Sequence, residues 1–360
     1  MSRTTSHRRQ RTSRAGFRTA SGVRGFSLIE LMIALMLGLL VVVSAGAIFI
    51  SNRQTYRATE GLGRVQENSR MAYELMARDI REAGGNPCGK NLLFVNVLNP
   101  TADWWANWNR GITGYEGGVA SPGTAFGTGV GNRIAGTDAV DVMSGDNSSG
   151  VTVVSHNPSS AQFQLNTANH VLDDSDIAIV CDNRQMTLFQ VTNAQPGTNE
   201  VVVHNTGNTA TPGNCTKGLG YPPPTSCPDA LGTPYTYGPS PDEPNRQATI
   251  ARLHAVRWYI GRNRNGTNSL FRVSLGNNGA GGAVTTNQEI AEGVENMQLQ
   301  YLLSGAGAYV DASLVPPARW AEVTAVRIAL NVASTDRAGV GNARLQRTIA
   351  HTATLRNRLP

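Results

Sequence analysis

Apolar and polar positions along the chain change rhythm twice. From Phe26 to Ile50 the run FSLIELMIALMLGLLVVVSAGAIFI is apolar on every side, with Glu30 as its only ionisable side chain. A helix of this length measures roughly 38 Å at 1.5 Å per residue, more than a hydrocarbon core of about 30 Å requires. After Ile50 the spacing of three to four persists while polarity rises. Ala58, Leu62, Val65, Ser69, Ala72, Met76, Ile80 and Ala83 form one apolar stripe, and Gly84-Gly85-Asn86-Pro87 supplies a stop. The pattern predicts one helix over 26–83, with Gly61 and Gly63 as the place for a bend, since glycine weakens a helix by about 1 kcal/mol relative to alanine.

Beyond Cys88 the period shortens to two. Short β-branched runs (AVDVMS, GVTVVS, AQFQLN, DIAIVCD, MTLFQVT, EVVVHN) alternate with Gly, Asn, Pro and Ser, as in an antiparallel β domain. Residues 251–261 and 269–275 read as a hairpin around Asn265-Gly266, and segments 289–304, 321–334 and 347–357 read as strands. The expected class is α+β: a long N-terminal helix, half in a membrane and half amphipathic, packed on an antiparallel β-rich domain. The expected boundaries are 1–25 (leader), 26–50 (membrane helix), 51–86 (amphipathic continuation) and 87–360 (β-rich body).

Charge fixes the orientation. The 360-residue chain carries a formal +6, yet seven arginines precede Ser27 and no carboxylate precedes Glu30. With those seven set aside, 24 of the 31 basic residues remain against 25 acids, a net −1, so nucleic-acid binding by the body is not indicated. The same asymmetry places residues 1–25 in the cytoplasm and the body across the membrane. A secretory signal would have a shorter apolar region ending in a cleavage site. A plain signal-anchor leaves Glu30 unexplained, because a carboxylate inside a membrane helix costs about 2.5–3.5 kcal/mol and calls for a partner.

Arg24-Gly25-Phe26-Ser27-Leu28-Ile29-Glu30-Leu31 resembles the class III prepilin signal of type IV pilins and type II secretion pseudopilins. The resemblance implies cleavage after Gly25 by prepilin peptidase, N-methylation of Phe26, and pairing of Glu30 with the terminal amine of a neighbouring subunit. The wider chain resembles the PilW family of minor pilins. The similarity lies at Asn52 to Tyr56, Glu67-Asn68, Ala77 to Arg81, Cys88, Asp176 to Cys181, Leu188 to Thr192, Glu292 to Tyr301 and Leu355 to Asn357; stretches 99–136 and 205–245 have no clear counterpart. It implies a non-catalytic minor pilin acting in pilus assembly or initiation. Its expected partners are prepilin peptidase, other minor pilins, the major pilin and an inner-membrane assembly platform. It would reside in the inner membrane with a periplasmic body, then in the pilus at the cell surface. The alternatives are a type II secretion pseudopilin or a membrane-anchored periplasmic binding protein.

Four cysteines, Cys88, Cys181, Cys215 and Cys227, all fall on the exported side, where disulfides persist. Cys215 and Cys227 bracket a Pro-rich loop, and pairing them leaves Cys88 to tie the helix end to Cys181, one of three possible connectivities. Trp104, Trp105 and Trp108 put three of five tryptophans within five residues, either as an exposed partner or glycan contact or as local core under a loop. The six histidines are scattered and read as surface or strand residues. Residues 127–131 read as a flexible glycine-rich loop, and acidic runs 141–146 and 173–176 as solvated turns rather than Ca²⁺ ligands. No cofactor or zinc site is indicated.

Overall fold

Ser27 opens the helix: its Oγ accepts the Ile29 N–H at 3.3 Å and its carbonyl the Leu31 N–H at 3.0 Å, as an N-cap does. With no proline before Pro87, helix α1 runs unbroken over Leu28–Glu82, through both Gly61 and Gly63. The computed structural model describes residues 25–358 apart from 91, 109–110, 147–149, 207–209, 230 and 338, so the leader arginines lie outside the described residues. The chain divides after Tyr56 into two compact units. In the first, every residue from Phe26 to Ile50 is exposed, along a helix apolar and long enough to cross a membrane.

The second unit begins with the remainder of α1. The predicted stripe holds from Val65 through Ala83, but Leu62 is exposed and Gly61 is buried in its place against Leu345 and Ser334. Gly61 therefore serves close packing rather than bending. The helix ends where Gly84 adopts φ +69°, the left-handed cap that glycine permits. There the Gly84 N–H donates to Met143 O at 2.8 Å and the Gly145 N–H donates to Gly85 O at 2.7 Å, stitching the helix end to the sheet.

The largest sheet is organised on β9 (Thr249–Arg262). On one edge β9 pairs with β3 (Ala139–Asp146), followed by β2 (Ile112–Tyr115). On the other it pairs first with β6 (Ile177–Cys181) and then with β10 (Asn268–Asn277), so the sheet forks. One branch ends at β11 (Ala283–Glu292); the other continues to β7 (Gln185–Gln190) and, in parallel, β1 (Leu93–Asn96). A second sheet has the order β13 (Val310–Asp311), β12 (Val294–Leu303), β14 (Val323–Ala333), β15 (Gln346–Thr354). A third joins β4 (Val153–Asn157), β5 (Gln162–Leu165) and β8 (Val201–Val203).

Segment 289–304, read from sequence as one strand region, is two strands in two sheets. Gly293, at φ +82°, makes the passage, since a Cβ there would run into the Ala333 carbonyl. Val65, Met76 and Ile80 of α1 pack with Trp258, Leu270, Met297 and Leu330 between the first two sheets. Full burial contributes about 1.5–3 kcal/mol for each such side chain, so these three hold the helix by about 5–9 kcal/mol.

Candidate functional site

In the first unit the functional candidates share one helix terminus. Phe26 is 82% exposed, and Glu30 stands three residues after the Ser27 cap, completing a Ser-x-x-Glu capping signature that was legible in the sequence. A carboxylate in the first turn is favoured by the partial positive charge of the helix N-terminus. Among the described residues, Glu30 has no hydrogen-bond or ion-pair partner, although it lies within an apolar helix.

In the second unit the helix seat has a polar core that sequence reasoning left without a role. Asp79 is 5% exposed on the inner face of α1. Its Oδ2 accepts from Trp258 Nε1 at 2.9 Å and Arg272 Nε at 3.0 Å, and His254 Nε2 lies 3.5 Å from Oδ1. Burial pushes this carboxyl up, but hydrogen bonds from His254 and Arg272 together with the Arg272 charge more than offset it and hold it below its usual range. A buried acid on the apolar stripe, facing a strand with Trp and Arg, was the available signal.

Cys88 bonds Cys181 and Cys215 bonds Cys227, and no cysteine is free among the described residues. The first bridge ties the chain just past α1 to β6; the second closes the Pro-rich loop. Trp104, Trp105 and Trp108 are buried at 8%, 2% and 6%, which corrects the partner-contact reading. They cover the sheet face near Ile177, Leu188, Tyr259 and Phe271, because the long loop laid there has few other apolar side chains with which to exclude water.

Two buried arginines hold that loop. Arg257 grips Asp141 through Nε at 2.5 Å and Nη2 at 2.7 Å, reaches Thr124 and the Pro122 carbonyl, and lies 4.7 Å over the Trp104 ring. Arg133 donates to the carbonyls of Tyr115, Glu116, Val119 and Thr137. Burial lowers its pKa to about 10. The cradle thus fixes part of 99–136 through backbone groups, a feature no residue pattern announced.

The histidine reading is corrected in part: His156, His170 and His204 are buried. The Tyr237 N–H donates to His156 Nδ1 at 3.1 Å, which assigns the His156 proton to Nε2, 3.0 Å from His204 Nε2. His204 then accepts through Nε2 and carries its own proton on Nδ1, which has no partner. Burial, reinforced by the Arg246 charge, brings His156 down to about 4, and burial holds His204 well below its ordinary value. Asp174 and Asp176 accept from the backbone N–H groups of Ala194 and Asp173, and Asp176 also from Asn277. Residues 127–131 form bends and a turn, with the Tyr259 hydroxyl donating to Gly131 O at 2.7 Å.

An exposed apolar helix whose first-turn acid has no partner among the described residues, continued by a helix seated on a disulfide-tied β-rich body, is consistent with a pilin-like α+β fold. Residues 21–46 match the prokaryotic N-terminal methylation motif, and residues 257–357 match the type IV pilus-assembly protein W family. Neither a curated protein nor a solved structure matches the chain. The two family matches support a PilW-type pilin with a minor-pilin role in the type IV pilus, and do not favour a secretion pseudopilin. The family match implies a structural role, the N-terminal signal and long apolar helix support membrane anchoring, and the N-terminal motif implies peptidase processing and assembly with other pilins.

Proposed function

We propose that this minor pilin is cut after Gly25, methylated at Phe26, and drawn into the pilus by pairing Glu30 with the terminal amine of a neighbouring subunit. The leader stays cytoplasmic until cleavage and the body is periplasmic before assembly. Its direct neighbours are other minor pilins and the major pilin on an inner-membrane platform, where it acts at initiation. The observation that carries this reading is Glu30, an acid with no partner among the described residues, in an otherwise apolar, exposed segment 26–50.

Glu30→Ala tests it. Removing the charge makes membrane insertion easier, so the level in the membrane and cleavage at Gly25 are expected to hold. Breaking a buried pair leaves a cation stranded at about 3–5 kcal/mol, which lowers incorporation by two or more orders of magnitude. Recovery is read by co-purification with sheared pili against membrane content, and the mature N-terminus by mass spectrometry. Unchanged recovery, or an intact leader in wild-type cells, overturns the reading.

A further inference from the structure

Beside the helix seat lies a cavity of about 640 Å³, walled by the end of α1, β3, His254, Arg272, β11 and the C-terminal Arg356. Its floor is satisfied. Asp79 is held by Arg272 and Trp258, and at the mouth Arg78 sits 4.0 Å from Glu82. Arg81 and Arg356 also line the cavity, and among the described residues neither has a carboxylate, hydrogen-bond or ring partner. Glu82 and Asp146 line the cavity too, so its four arginines, Arg78, Arg81, Arg272 and Arg356, exceed its three carboxylates, Asp79, Glu82 and Asp146, by one, and that surplus favours an anion, since arginine forks match carboxylates in pairs.

The wall on one side is an open sheet edge. Beyond Ala283, whose N–H donates to Thr211 O at 2.9 Å, strand β11 pairs among the described residues only with β10, and residues 284–289 are exposed in succession, with no proline or lysine to guard the edge. Gln288 and Ile290 of this strand line the cavity itself. An extended segment pairing with β11 would therefore turn alternate side chains toward the two arginines. Main-chain hydrogen bonds would supply the attachment and the cavity the side-chain selectivity.

We infer that β11 and the adjoining cavity form a strand-addition site for an extended acidic segment of a neighbouring subunit, with a glutamate or aspartate carboxylate held between Arg81 and Arg356. The identity of the occupant as a subunit rests on the pilin reading; the acidic, extended chemistry rests on the cavity and the edge. Because both arginines lack a carboxylate, hydrogen-bond or ring partner among the described residues, replacing them is expected to leave the melting temperature unchanged, so the site can be tested without unfolding the protein.

The test is binding of a labelled, end-blocked Val-Glu-Val-Glu-Val-Glu peptide to the detergent-solubilised full chain, read by fluorescence anisotropy at low salt. Saturable binding is expected, weakened at least tenfold in Arg81→Gln/Arg356→Gln at an unchanged melting temperature. Arg64→Gln, on the exposed face of α1, is expected to bind as wild type does. N-methylation of alternate peptide amides is expected to abolish binding. Absence of binding, equal loss in Arg64→Gln, or retention by the double variant or the N-methylated peptide would overturn the site. Glutarate binding as tightly as the peptide would assign the cavity to a small anion and overturn the strand-addition proposal. These outcomes are independent of Glu30→Ala recovery in pili, so failure of the pilin reading and failure of this site are distinguishable.

Discussion

Asp79→Asn isolates the polar clasp between α1 and the sheet. The asparagine oxygen can still accept the Trp258 N–H, so the change removes chiefly the charge opposite Arg272, whose contacts are 3.0 and 3.4 Å. A hydrogen bond to a charged group is worth about 1.5–3 kcal/mol net, and breaking a buried pair costs about 3–5 kcal/mol. Because the Arg272 side chain keeps 23% of its exposure, solvent reclaims part of the loss and the lower end applies, about 3 kcal/mol. For a unit of this size, Arg57–Pro360, that is a fall of about 5 °C in Tm. The assay is thermal unfolding of the detergent-solubilised mature protein followed by tryptophan fluorescence, repeated for Arg272→Met and the double variant; the cycle should give a coupling of about 1.5–3 kcal/mol. The pH dependence has a definite sign. A folded-state pKa held below the unfolded value of about 3.9 stabilises the native state above that pH and ceases to do so as pH falls, so wild type and variant should converge below about pH 4. A Tm within 1 °C of wild type at pH 7, or a coupling indistinguishable from zero, would refute the clasp.

Three further outcomes are expected. His156, lowered to about 4, lets the unfolded chain bind a proton that the native state rejects, so wild type loses about 3 kcal/mol between pH 6.5 and 4 that His156→Phe does not. The comparison of the two proteins isolates this effect, because Asp138, which burial raises to about 6, acts with the opposite sign in both; parallel pH profiles would exclude it. Cys88 and Cys181 lie 93 residues apart and Cys215 and Cys227 12, so by chain entropy replacing the first pair with serine costs about 2 kcal/mol more in urea unfolding than replacing the second. Arg133→Ala orphans buried carbonyls at about 1–3 kcal/mol each and should speed hydrogen exchange across 115–137 while leaving β9 and β14 protected.

The helix was legible because its signals are local: an apolar run without proline, a stripe at three and four, a glycine stop. The strands from 139 to 203 were legible from alternation between turn residues. Strands β1 and β2 were missed because each is four residues long and set among loop-like sequence. The passage at Gly293 was missed because it depends on the Ala333 backbone, which sequence separation hides. Glu30 was visible as a charge out of place. Asp79 was visible as a residue, but its role requires Trp258 and Arg272, nearly two hundred positions away, and the His156–His204 contact left no trace in spacing.

Arg133 holds its loop by carbonyl oxygens, which every amino acid possesses. Most outward side chains between Tyr115 and Thr137 can therefore be exchanged without altering the path of the backbone, as long as the arginine and the turn glycines remain. A segment built this way separates shape from surface identity. Its outward chemistry can change from residue to residue while the backbone contour that any contact would meet stays the same.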